Sequence, residues 1–123
     1  DMFSIVYVAE PEEAVKMADV GADAIISHVG TTVGGSIGVT GATVTMDYAV
    51  EKTQEIIEAV RKSNPNTFFL AHGGPVNTPE DVRIILDRTD AHGFVGASSL
   101  ERMGVEESLT NLTRKFKSLT LKN

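Results

Sequence analysis

Thr67-Phe68-Phe69-Leu70-Ala71 runs straight into His72-Gly73-Gly74-Pro75 and then Thr78-Pro79-Glu80-Asp81, so a strand, a glycine turn and a helix start follow in unbroken succession. The strand is apolar from Phe68 to Ala71. Thr78 reads as an N-cap, Pro79 as a first-turn residue and Asp81 as a carboxylate reaching back to free amides. Val82, Ile85 and Leu86 then give the helix its core face.

The same unit repeats outward in both directions. Upstream, Ser4–Val8 is β-branched and aromatic without polar alternation, as strands covered on both faces are, and a helix follows from Pro11 with Glu12 and Glu13 in its first turn, where the helix dipole favours acids. Gly21 ends that helix, and a second strand spans Ala24–His28. A glycine-laced loop without periodicity covers Val29–Thr45. A helix from about Asp47 to Lys62 buries Val50, Ile56, Ile57 and Val60 and stops at Asn64-Pro65. Downstream, a fourth strand, His92–Val95, ends in Gly96-Ala97-Ser98-Ser99. Ser98 and Glu101 have capping-box spacing, so a short helix is expected there. Val105, Leu109, Leu112, Phe116 and Leu119 then place a final helix over Val105–Leu121.

Four βα units make this an α/β chain with a parallel sheet, a single domain over residues 1–123. An open, doubly wound sheet and half of a barrel both satisfy that pattern, and the glycines favour the barrel. In a (β/α)8 barrel the loops after the last two strands commonly form a phosphate site from backbone amides and a short extra helix. His72–Pro75 and Gly96–Arg102 occupy those places. The expected fold is therefore the C-terminal half of a (β/α)8 TIM barrel.

Composition narrows the partners. A net charge of −6 disfavours nucleic acid and anionic membrane surfaces, both of which attract a Lys/Arg surplus. Without cysteine there is no disulfide frame, thiolate metal site or cysteine nucleophile. The longest apolar run, Ile5–Ala9, has five residues against roughly 20 for a membrane span, and a cytoplasmic location is expected. The chain opens Asp1-Met2-Phe3 almost directly on a strand, which suggests a fragment of a longer protein. Half a barrel leaves strand edges and an apolar face bare, so a homo-oligomer or pairing with the missing N-terminal half-barrel is expected.

Three segments carry a resemblance. Met17–Gly38 (MADVGADAIISHVGTTVGGSIG), Ala71–Asp81 (AHGGPVNTPED) and Ala91–Arg102 (AHGFVGASSLER) resemble the phosphoenolpyruvate hydrolase-like TIM-barrel family, also described as predicted TIM-barrel signal-transduction proteins. The resemblance covers nearly the whole chain and matches only the C-terminal half of the family's barrel. It implies a hydrolase or lyase acting on a small phosphorylated or carboxylated substrate such as a phosphoenolpyruvate- or oxoacid-like compound. The rival it also implies is a non-catalytic ligand-sensing or partner-binding module.

The residues that could carry such chemistry cluster after the strands. His28 and His72 stand at strand ends, where barrel side chains face the catalytic rim, and each suits general acid/base work or hydrogen bonding to a substrate oxygen. The alternative for each is a histidine that merely braces a loop. Adjacent strands lie roughly 4.8 Å apart, so the two imidazoles would reach one ligand. His92 stands at the beginning of its strand, on the stability face, and is assigned to structure. Gly30, Thr31, Gly34 and Gly35 could wrap a carboxylate or phosphate, or form a plain connector; the loop is neither a Walker loop nor G-x-G-x-x-G. Gly73, Gly74, Gly96, Ala97, Ser98 and Ser99 are candidates to hold the anion, the serines as caps and donors rather than nucleophiles, since no Gly-x-Ser-x-Gly elbow surrounds them. Arg102 either neutralises a bound anion or pairs with a neighbouring glutamate. No metal site is visible: Glu10 is the one carboxylate near the rim and belongs to a helix start, so any divalent cation would take its ligands from outside this chain.

Overall fold

A computed structural model describes residues 2–33 and 44–118. Four parallel strands alternate with helices in the order β1 (Ile5–Val8), α1 (Pro11–Asp19), β2 (Ala24–His28), α2 (Met46–Arg61), β3 (Phe68–His72), α3 (Pro79–Arg88) and β4 (Gly93–Phe94). A π-helical turn over Ser99–Met103 then leads into α4 (Gly104–Lys117). The sheet runs β1-β2-β3-β4 in chain order, every pair parallel. A doubly wound sheet reverses its order at a switch point and carries helices on both faces. Here the order is monotonic, and Val8, Ile25, Phe69 and Ala71 bring α1, α2 and α3 onto one face. That is the arrangement of half a (β/α)8 barrel.

Local chemistry explains the elements. The Glu13 carboxylate accepts from the backbone amides of Ala9 and Glu10, satisfying donors at the start of α1. Thr78 and Asp81 close a reciprocal capping box at α3: the Thr78 hydroxyl accepts from the Asp81 amide at 3.2 Å, and the Asp81 carboxylate accepts from the Thr78 amide at 2.9 Å. Beneath β2 the hydroxyls of Ser27 and Thr53 meet at 3.0 Å, both fully buried, and pin α2 to the sheet. Thr53→Val leaves the Ser27 hydroxyl without a partner and is expected to lower stability by about 1–3 kcal/mol. Adding Ser27→Ala should recover much of the loss. Urea unfolding of both proteins checks this, and strictly additive costs would refute the pairing. At the N-terminal end of β1 and β2, Asp23 receives the Ser4 amide at 2.7 Å and the Ser4 hydroxyl at 2.9 Å. The Ser4 amide, and after it the hydroxyl, holds the Asp23 carboxyl below its ordinary range.

Three expectations change. The run Ser4–Val8 reads as doubly covered, yet Ile5 and Tyr7 are 53% and 52% exposed, because β1 is an edge strand whose second face would lie inside a closed barrel. Ser98 does not cap: its backbone is helical (φ −55°, ψ −30°) and its side chain makes no cap bond. An N-cap needs extended backbone for its oxygen to return to the following amides; instead the Ala97 carbonyl accepts from the amides of Leu100 and Glu101. Finally, α4 forms where its periodicity indicated but buries nothing: Val105, Leu109, Leu112 and Phe116 are all exposed. Its strand partner would be the one beyond β4, and among the described residues β4 is the last strand of the sheet. No described helix is long and apolar enough to cross a membrane.

Candidate functional site

The strand register puts His28 directly opposite His72. Alternation along each strand turns both away from the helices, onto the open face, at the C-terminal end of the sheet. The ring centroids are 5.3 Å apart. Both side chains are partly buried. The His72 Nδ1 lies 2.8 Å from the Val95 carbonyl, and the Gly30 amide donates to the His28 Nδ1 at 3.4 Å. Tyr7 joins them from β1, its ring edge-on to both imidazoles at 5.9 Å and 5.1 Å between centroids.

The glycines around this pair have a backbone explanation. Gly30, Gly73 and Gly74 all adopt positive φ. The Gly74 amide donates to the Gly30 carbonyl at 2.8 Å, the Val29 amide to the His72 carbonyl at 3.1 Å, and the Val33 amide to the Gly74 carbonyl at 3.2 Å. The β2–β3 ladder thus continues through both loops and fixes the histidines side by side. It also occupies the Gly74 amide, which is therefore not presented to an anion. A Cβ on Gly96 would meet the exposed Leu100 side chain, which would have to turn aside. Ala97 uses its carbonyl in the π-helical turn, and Ser98 and Ser99 are partly buried beside it. Thr31 is exposed at the start of the loop. Gly34 and Gly35 lie outside the described residues.

The two glycine turns do share one end of the sheet, as the Val95 amide bonded to the Ala71 carbonyl at 2.9 Å requires. They do not bound the cavity beside His28. That cavity, about 320 Å³, is lined by Glu10, Gly30, Val44, Tyr48 and Lys52 among others. Lys52 pairs with Glu10 and Glu55 at 3.2 Å each, and the hydrogen bond to Glu55, followed by that to Glu10, raises its pKa above the ordinary lysine value. One ammonium between two carboxylates leaves the cluster net negative, so it is no anion trap. A second cavity of about 510 Å³ joins Asn77, Thr78 and Pro79 to Ser99 and the first turns of α4. Arg102 pairs with Glu106 at 3.3 Å, the neighbouring-glutamate alternative, with both side chains partly buried. His92 accepts the Phe69 amide at 3.0 Å on Nδ1 and stacks on the Phe69 ring, a structural role at the opposite end of the strands.

Tyr7 and Lys52 were not singled out by sequence. Strand alternation could have found Tyr7, since it shares the face of His28. A lysine on a helix surface gives no such signal.

The sequence pattern of the phosphoenolpyruvate hydrolase-like family matches residues 1–119. The chain belongs to the phosphoenolpyruvate hydrolase-like family. Among relatives of this family member, the ToMV susceptible protein tm-1(GCR26) of Solanum lycopersicum is 43% identical over 116 residues, which is 94% of this chain and 15% of that protein. The ToMV resistance protein Tm-1(GCR237) of the same plant is 42% identical over the same length and shares. A putative transcriptional regulatory protein, y4pA, of Sinorhizobium fredii (strain NBRC 101917 / NGR234) is 29% identical over 119 residues, 97% of this chain and 19% of that protein. The chain spans about 15% of the tomato relatives' length. Among the described residues no group of three or more His, Asp or Glu side chains is placed to hold a metal ion.

Proposed function

We propose that this phosphoenolpyruvate hydrolase-like chain supplies the proton-handling rim of a TIM-barrel enzyme, a hydrolase or lyase acting on a small phosphorylated or carboxylated compound. The observation that carries the reading is the His28–His72 pair, in direct register at the C-terminal ends of neighbouring strands. Barrel enzymes place their chemistry at that end. Two imidazoles that close can serve one ligand, one giving a proton while the other takes one. The rest of the barrel would come from polypeptide covering the apolar face of Phe3, Ile5, Tyr7 and Phe68, all more than half exposed here.

The test is phosphate or oxoacid release from phosphoenolpyruvate by the full polypeptide. His28→Asn and His72→Asn are each expected to lower turnover by roughly 10²–10⁴-fold, the usual worth of a positioned acid or base, while substrate binding largely persists. A wild-type protein that binds substrate without turnover would shift the reading to ligand sensing.

A further inference from the structure

The proposed site rests on two histidines; their hydrogen bonds go further and distinguish them. A carbonyl oxygen only accepts, so the 2.8 Å contact to Val95 puts the His72 proton on Nδ1 and leaves Nε2 as a bare acceptor. His28 is the reverse. Its Nδ1 accepts from the Gly30 amide, so its proton sits on Nε2, which is a donor. The neutral rim therefore presents one acceptor nitrogen and one donor nitrogen on neighbouring rings.

The two tethers differ in strength. The His72 bond is short, whereas the His28 bond, at 3.4 Å, is near the limit of a hydrogen bond. What else restrains His28 is the Tyr7 ring, which meets both imidazoles edge-on at 72° and 73°. Edge-to-face contact is the favoured aromatic geometry, and it depends on the ring rather than on the hydroxyl.

We propose that Tyr7 is a positioning residue that keeps the His28 ring on its Gly30 donor, beside a His72 fixed in the opposite tautomer by Val95, and that the pair takes a ligand carrying a hydroxyl beside a carboxylate, such as an α-hydroxy acid or the enol of an α-oxo acid. The hydroxyl donates to the His72 Nε2, and a carboxylate oxygen accepts from the His28 Nε2–H. This rests on the functional reading above and names its ligand class.

The experiment uses the full polypeptide labelled with ¹⁵N-histidine, with imidazole proton–nitrogen spectra recorded at alkaline pH. His72 is expected as the Nδ1–H form and His28 as the Nε2–H form. Tyr7→Phe should preserve both. Tyr7→Leu should drive His28 toward a tautomer mixture, leave His72 in place and weaken glycolate binding by about tenfold, the value of one hydrogen bond. Acetate, which lacks the hydroxyl, should bind the wild type about tenfold more weakly than glycolate. Imidazoles sharing one tautomer, a Tyr7→Leu protein matching wild type, or Tyr7→Phe reproducing the leucine defect would each overturn the positioning role. Glycolate that moves neither imidazole resonance would overturn the ligand class alone; the functional reading beneath it falls only if His28→Asn and His72→Asn keep wild-type turnover.

Discussion

Gly73→Ala is expected to remove roughly 3–5 kcal/mol of stability and to separate the two histidines. Three effects add. Gly73 sits at φ +82°, a left-handed conformation that costs a residue with a Cβ about 1–2 kcal/mol. The added Cβ would lie 2.2 Å from the Gly30 carbonyl oxygen, which is backbone and cannot rotate away. Relief requires the loops after β2 and β3 to part, which breaks the Gly74–Gly30 and Val33–Gly74 bonds at about 1 kcal/mol each. Because domains are stable by only about 5–15 kcal/mol, the loss is a large share of the total. Gly21→Ala is the internal control. Its φ is +97° but nothing lies within 4 Å of the added carbon, so only the conformational cost applies. Urea unfolding should rank the two substitutions clearly. Equal costs would mean the loops are not locked together as described.

The contrast between Thr78 and Ser98 shows what the sequence could and could not reveal. Both precede an acid by three residues, and both read as capping boxes. Thr78 is followed by Pro79, which sterically disfavours helical backbone at the preceding residue, and Thr78 is indeed extended at φ −108°, ψ 162°. Ser98 is followed by Ser99, nothing forces it open, and it continues into the π-helical turn. The spacing was the same; the backbone restraint was not. The βα alternation, the bounds of β2 and the placement of both histidines were legible because each depends on a local run of residues. The lock between Gly30 and Gly74 was not, since it joins atoms distant in sequence through a strand register that no local pattern states. That is why Gly74 looked like a free donor. The tautomers were hidden for the same reason: the carbonyl that sets His72 belongs to Val95, beyond a different strand.

Phe69→Ala is expected to cost about 3–5 kcal/mol, the range for emptying a buried aromatic site. Phe69 is 2% exposed and packs with the core of Val8, Ile25 and Ile56. Its ring stacks under His92, with the Arg61 guanidinium 5.9 Å from its centroid, so those contacts go with it. Phe68, one residue earlier, faces the other way and is 51% exposed. In the chain of residues 1–123 by itself, Phe68→Ala should therefore cost much less, on the order of 1 kcal/mol, because half of its apolar surface already meets water. In a polypeptide that closes the barrel the open face becomes interior, and the cost at Phe68 should climb toward that at Phe69. Unfolding the two alanine proteins in both contexts separates a sheet that is naturally one-sided from one awaiting its second half. A Phe68 cost that stays small in the full polypeptide would show that nothing covers the face on which Tyr7, His28 and His72 sit.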